Sequence, residues 1–192
     1  MKRVIVYILA VIAIVGSIGG LCYYYFEIRP VAVVLLKTDM DPFLNVRGRQ
    51  IGFNYEITEI PFAMLKDAKP EEIKSGWSES DIYIELRKGK KYYHPHGAYK
   101  NKPTDAKKVW IWGRSNGVRN KAFYVRYNIS SLAISKESAA EISKIKTKLL
   151  ADAKRLNKPL KELMTIDVEI SINYQGKAKI RRFFINDKPF LV

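Results

Sequence analysis

The chain has 192 residues, with 34 Lys+Arg against 19 Asp+Glu and a single cysteine. One cysteine excludes a disulfide framework and a Cys-based zinc site. A formal charge of +15 admits attraction to anionic lipid or phosphate-rich polymer, but 23 lysines against 11 arginines, spread along the chain, read first as a solvated surface. Nucleic acid is not an expected partner.

Residues 4–26 form one uncharged apolar run, preceded by Lys2 and Arg3. A helix needs about 20 such residues to cross a hydrocarbon core of roughly 30 Å. At about 1.5 Å per residue this run reaches roughly 34 Å. The division expected is a cytoplasmic tip at 1–3, a transmembrane anchor at 4–26 and an extracytoplasmic domain at 27–192. The basic pair stays inside, and Tyr23, Tyr24, Tyr25 and Phe26 form an aromatic belt at the outer interface. A cleaved signal peptide is the rival, but its apolar core is shorter and small residues precede its cleavage site. Gly19-Gly20-Leu21-Cys22 is like a lipoprotein signal, except that Leu21 is bulky. Cys22 is read as a small apolar membrane residue.

The outer part reads mostly as strands. Residues 31–36 are a continuous apolar run and suit a buried strand. Residues 50–60 alternate, with Ile51, Phe53, Tyr55 and Ile57 on one face. Residues 81–87 alternate Ile82, Ile84 and Leu86 against Tyr83 and Glu85. Tyr92 and Tyr93 lie in a short strand before a turn at His94-Pro95-His96-Gly97. Residues 109–112 form a strand ended by Gly113, and 122–128 another. A helical turn is expected within 64–69 and a loop at 76–80.

One long helix is expected, roughly 136–156, between the sixth and seventh of about eight strands. Ser135 caps it, Glu137 lies in its first turn, and Asn157 and Pro159 stop it. Ala139, Ile142, Ile145, Leu149, Ala153 and Leu156 share its apolar face. Lys144, Lys148 and Arg155 share the opposite face and are candidate contacts for an anionic surface. Strands at 166–174 and 178–185 close the chain. A three-residue loop with Gly176 in the left-handed bulge position pairs Ile172 with Ala178, Ile170 with Ile180 and Glu169 with Arg181. The fold class expected is strand-dominated α+β.

The segment from Asp41-Pro42 through Gly48-Arg49-Gln50 to Tyr55-Glu56-Ile57 resembles the GDYXXLXY family of bacterial membrane-anchored proteins, which is of unknown function. Asp41, Pro42, Gly48, Tyr55, Glu56 and Ile57 keep the family's places, while Arg49, Gln50 and Phe53 replace its Asp, first Tyr and Leu. Further matches follow in family order. They are Val109–Arg114, Val125-Arg126-Tyr127-Asn128-Ile129, Gln175-Gly176-Lys177-Ala178 and Asn186-Asp187-Lys188-Pro189. The resemblance implies a one-pass anchor and a strand-rich external domain at the bacterial inner membrane, and it supplies no catalytic residues.

Asp39-Met40-Asp41-Pro42-Phe43-Leu44, with Gly48 beyond, resembles the S-M-x-P-T-L-x-x-G-D box of type I signal peptidases, whose serine is activated by a lysine. Asp39 stands in the serine's place, and a carboxylate cannot do that chemistry. His94 and His96 lack an evident third metal ligand. Trp110 and Trp112 share a strand face, as core or a partner-facing patch. No cofactor or metal is expected. The functional expectation is a non-enzymatic membrane component binding or scaffolding another envelope component, with a degenerate signal-peptidase-like hydrolase scaffold as the alternative.

Overall fold

The computed structural model describes residues 2–38, 46, 47, 50–68, 80–105 and 107–191. The chain begins with α1 (Lys2–Tyr23), continues through a π-helical turn at Tyr24–Ile28 and enters β1 (Pro30–Lys37). Among the described residues one helical stretch, Leu9–Ile28, is long and apolar enough to cross a membrane, and its most apolar part is not buried inside the fold. The hydroxyl of Ser17 donates to the Ala13 carbonyl, so the polar group is satisfied within the helix.

Beyond β1 the strands are β2 (Val46–Arg47), β3 (Gln50–Gly52), β4 (Glu59–Pro61), β5 (Asp81–Lys88), β6 (Tyr93–Tyr99), β7 (Val109–Arg119), β8 (Ala122–Arg126) and β9 (Ser131–Ala133). Helices α2 (Lys136–Leu156) and α3 (Leu160–Leu163) follow, and β10 (Ile166–Asn173), β11 (Ala178–Ile185) and β12 (Lys188–Leu191) complete the chain. The fold is strand-dominated α+β. Three antiparallel sheets are ordered β1-β10-β11-β12, β2-β3-β9 and β4-β8-β7-β5-β6. Twelve strands stand among the described residues where about eight are expected. The additions are short pieces such as β9 and β12, too brief to show a period.

One core joins all three sheets and α2. Val34 and Ile170, Ile51, Ile84 and Phe123, and Ile142 all contribute to it. Phe183 links layers, with its ring centroid 5.6 Å from Phe53 and 5.1 Å from Phe190.

Several expectations change. Residues 50–60 are not one strand. β3 pairs with β9, a 3-10 turn at Glu56–Thr58 intervenes, and β4 pairs with β8 in another sheet. Ile51, Phe53, Tyr55 and Ile57 are nevertheless all buried, so the alternation marks a face and not a single ladder. His94-Pro95-His96-Gly97 lies inside β6, not in a turn. β6 is the outer strand of its sheet, where a proline is tolerated, and the register shifts opposite Glu85 and Leu86. β7 runs through Gly113. A Cβ at Gly113 would collide with Val125 Cγ1 and approach the Tyr127 ring to 3.0 Å, so this glycine serves close packing and does not end a strand. β1 is an outer strand of its sheet, and Val31 and Val33 are exposed.

The local rules hold where the chain turns. The Ser135 hydroxyl accepts from the Ser138 amide at 3.0 Å, and Asn157 ends α2 in the left-handed region. Of the predicted stripe, Ile142 is fully buried, but Leu156 is 49 % exposed, because the last turn of α2 leaves the core. Gly176 takes φ +81° and the pairs Ile172–Ala178 and Ile170–Ile180 form as expected. A bulge then moves Glu169 opposite Arg182, not Arg181. The guanidinium of Arg182 binds the carboxylate at 3.1 and 2.9 Å, while Arg181 stands 3.7 Å away. Asn120-Lys121 and Asn186-Asp187 have positive φ at both positions, the backbone of two-residue hairpin turns.

Two substitutions test the packing. Tyr127→Phe strands the Ile57 carbonyl that its hydroxyl reaches at 2.7 Å and should cost about 1–3 kcal/mol. Gly113→Ala should also cost about 1–3 kcal/mol by overpacking. Urea unfolding of the full chain in neutral detergent measures both, and an unchanged midpoint for either contradicts its account.

Candidate functional site

The residues singled out from the sequence separate into three groups. Asp41, Pro42 and Gly48 lie outside the described residues, as does Asp39. Tyr55 and Tyr127 are buried and reciprocal. Tyr55 Oη donates to the Ile129 carbonyl at 2.7 Å, and Tyr127 Oη donates to the Ile57 carbonyl at 2.7 Å. Burial pushes both phenols above their ordinary range, so they stay protonated donors. Glu56 forms a 2.8 Å ion pair with Lys37. Arg126 is exposed beside a depression of about 230 Å³ that Tyr55 and Tyr127 also line. The Gly176 carbonyl accepts from the Trp112 amide at 2.8 Å, joining the β10–β11 turn to β7. Tyr55, Tyr127 and Gly176 thus brace the fold.

Lys144, Lys148 and Arg155 are exposed on α2, and Arg155 is held 3.0 Å from Asp152. His94 and His96 both lie on β6, and among the described residues no group of three His, Cys, Asp or Glu is placed to hold a metal ion.

The structure brings together a different set of residues at the foot of α1. The segment after the helix is latched to the β10–β11 turn. Asn173 Nδ2 donates to the Glu27 carbonyl at 2.8 Å, and Lys177 Nζ meets the Glu27 carboxylate at 2.9 Å. The Asn173 side-chain oxygen accepts from the amides of Gln175 and Lys177 at 3.0 and 2.9 Å, which sets the turn. Phe26 packs edge-on against Tyr174 with centroids 5.2 Å apart.

Beside this latch opens a cleft of about 240 Å³. Tyr25, Val31, Tyr83, Trp110 and Tyr174 give it apolar walls, and Lys102 and Lys108 line it too. The Lys102 ammonium lies 4.5 Å from the centre of the Tyr174 ring, and Lys108 lies 5.6 Å from that of Trp110. Trp110 is fixed by an edge contact with Tyr99 and by its Nε1 donating to the Asp105 carbonyl at 3.2 Å.

Lys108 also supports the buried Glu85 behind the wall. Glu85 accepts from Lys108 at 3.3 Å, Tyr99 at 3.2 Å and Arg87 at 3.4 Å. Burial alone would raise its pKa, but those hydrogen bonds and the Lys108 charge together hold it below the ordinary carboxylate value. At the far end of β10, Lys91 bridges Asp167 and Asp187 at 2.9 and 3.0 Å. The bond to Asp167, then that to Asp187, raises its pKa, so Lys91 is a charged strut and not a neutral base.

Sequence reasoning missed this cleft because its walls come from positions 25, 31, 83, 102–105, 108, 110 and 173–176. The signal available was the tyrosine belt after the apolar run. Comparison with protein-family models, with curated proteins and with solved structures finds no match.

Glu85 gives the site a pH signature. A lowered folded pKa means its stabilisation is present above the unfolded value of about 4.5 and is lost as pH falls through the folded value. Glu85→Gln should therefore lower stability at neutral pH by about 1–3 kcal/mol and converge on the wild type in acid. Thermal melts of the full chain at neutral and acidic pH measure this, and a gap that is constant with pH contradicts it.

Proposed function

We propose that the chain is a single-pass component of a bacterial inner membrane, with Lys2 and Arg3 in the cytoplasm and the β-rich domain outside. There it binds or scaffolds another envelope component without catalysing a reaction. The observation that carries this reading is the distribution of exposed apolar side chains. Among the described residues beyond α1, the large ones are Tyr24, Tyr25, Phe26, Ile28, Val31, Val33 and Tyr174 at the helix foot, with only Val118 and Leu156 elsewhere. An apolar collar continuous with an unburied apolar helix suits a lipid interface and a membrane neighbour. The best-held lysines favour binding over catalysis, since Lys91 and Lys108 are engaged by carboxylates. The partial likeness to the membrane-anchored family points the same way.

Two measurements test it. A reporter that works only after export, fused after Val192, should be active, and the full protein should stay with membranes under alkaline extraction. A fusion active only in the cytoplasm, or release by alkali, overturns the topology. Val33 lies on the outer face of β1 and is 44 % exposed. Val33→Lys should leave the protein in the membrane but abolish its in-cell cross-linked partner species, and unchanged cross-linking overturns the binding face.

A further inference from the structure

We propose that the cleft between the helix foot and the β10–β11 turn binds the headgroup of an anionic phospholipid. Lys102 contacts the phosphate, and Tyr25, Trp110 and Tyr174 cover the glycerol and the first methylenes. The inference rests on the membrane reading above and adds a defined site to it.

The position of the cleft is the first support. Tyr25 lines it and belongs to the last turns of Leu9–Ile28, a helical stretch long and apolar enough to span a bilayer. With that stretch in the membrane, the cleft opens at the level of the headgroups, which occupy only a thin zone on either side of the hydrocarbon. Lipid is therefore the molecule that meets it at the highest local concentration.

Chemistry is the second support. Lys102 is exposed, rests on the Tyr174 ring, and pairs with no carboxylate among the described residues. Its neighbours differ. Lys108 leans on Glu85 at 3.3 Å, and Lys177 is held by Glu27 at 2.9 Å. Asp105, a carboxylate in the lining, accepts from the Lys107 amide through Oδ1 at 3.0 Å. Lys102 thus leaves a positive charge on an aromatic wall, the arrangement that accepts a phosphate attached to an apolar body.

Shape is the third. A volume of about 240 Å³ is too small for two acyl chains and of the right order for a headgroup with its glycerol. The walls are held in advance by the Asn173–Glu27 latch and by the Tyr99–Trp110 contact, so little ordering is needed on binding.

The test uses the full chain in neutral detergent, titrated with phosphatidylglycerol or phosphatidylcholine and read by native mass spectrometry. Phosphatidylglycerol should be retained in preference. Lys102→Gln should weaken its retention by about tenfold or more, since the contact is charge-assisted. Lys90→Gln, in the turn at the far end of β5, should not weaken it. Free sn-glycerol 3-phosphate should bind far more weakly, because it lacks the apolar part that the aromatic walls cover. Equal retention of the two lipids overturns the proposal, and so does a Lys102→Gln variant that melts and binds like the wild type. Free glycerol phosphate binding as tightly as the lipid overturns the lipid source. Failure of the membrane reading appears separately, as release of the wild type by alkali, and needs no lipid measurement.

Discussion

The chain between Gln50 and Pro61 has to leave one sheet and enter another while passing through the core. Any backbone carbonyl left bare on that path loses its water and gains nothing, at a cost of about 1–3 kcal/mol. The Glu56–Thr58 turn cannot satisfy all of its groups internally, because a single 3-10 turn makes few hydrogen bonds of its own. Tyr127 reaches across from the end of β8 to the Ile57 carbonyl, and Tyr55 reaches back to the Ile129 carbonyl. The two phenols tie the crossing segment to the strand exit that faces it. The exchange lies between the exits of β3 and β8 and the entries of β4 and β9, and Phe53 beside it packs against Phe183.

The large sheets are fixed to each other at both ends. Near the helix foot, the Trp112 amide donates to the Gly176 carbonyl. At the opposite end, Tyr92 Oη donates to Asp167 at 3.0 Å and Lys91 spans Asp167 and Asp187. The buried carboxylates Glu85 and Asp167 are each met by a partly exposed lysine. That geometry lets the cation keep part of its hydration while its partner is desolvated, which softens the cost of burying the charge.

Features encoded locally were legible in the sequence. The bounds of α2 follow from Ser135 and Asn157, and the β10–β11 loop follows from Gly176 and the parity of its flanking residues. What failed depended on distant partners. Alternation placed Ile51 through Ile57 on the buried side but could not say that β3 and β4 belong to different sheets. A turn-like composition concealed His94–Gly97 within β6, since an outer strand accepts Pro95 without losing a ladder bond. Glu169 met Arg182 because one bulge shifts a register that the hydrophobic pattern leaves free on the solvent side. The cleft was the least legible part. Lys102 carries no periodic signal, and it becomes distinctive only once folding sets Tyr174 beneath it.

The Asn173–Glu27 latch has a consequence for motion. Six residues separate α1 from β1, and as a flexible tether they would let the domain wander by roughly 13 Å. Instead Tyr24–Ile28 are wound into a π-helical turn, and Glu27 within it is pinned to the β10–β11 hairpin. With α1 in a bilayer, as proposed, the domain has a set height and tilt and almost no search volume of its own. It cannot sweep the space around its anchor to find a binding partner. Encounters must come from lateral drift of the whole molecule in the plane of the membrane, and only surfaces carried at the matching height will meet it.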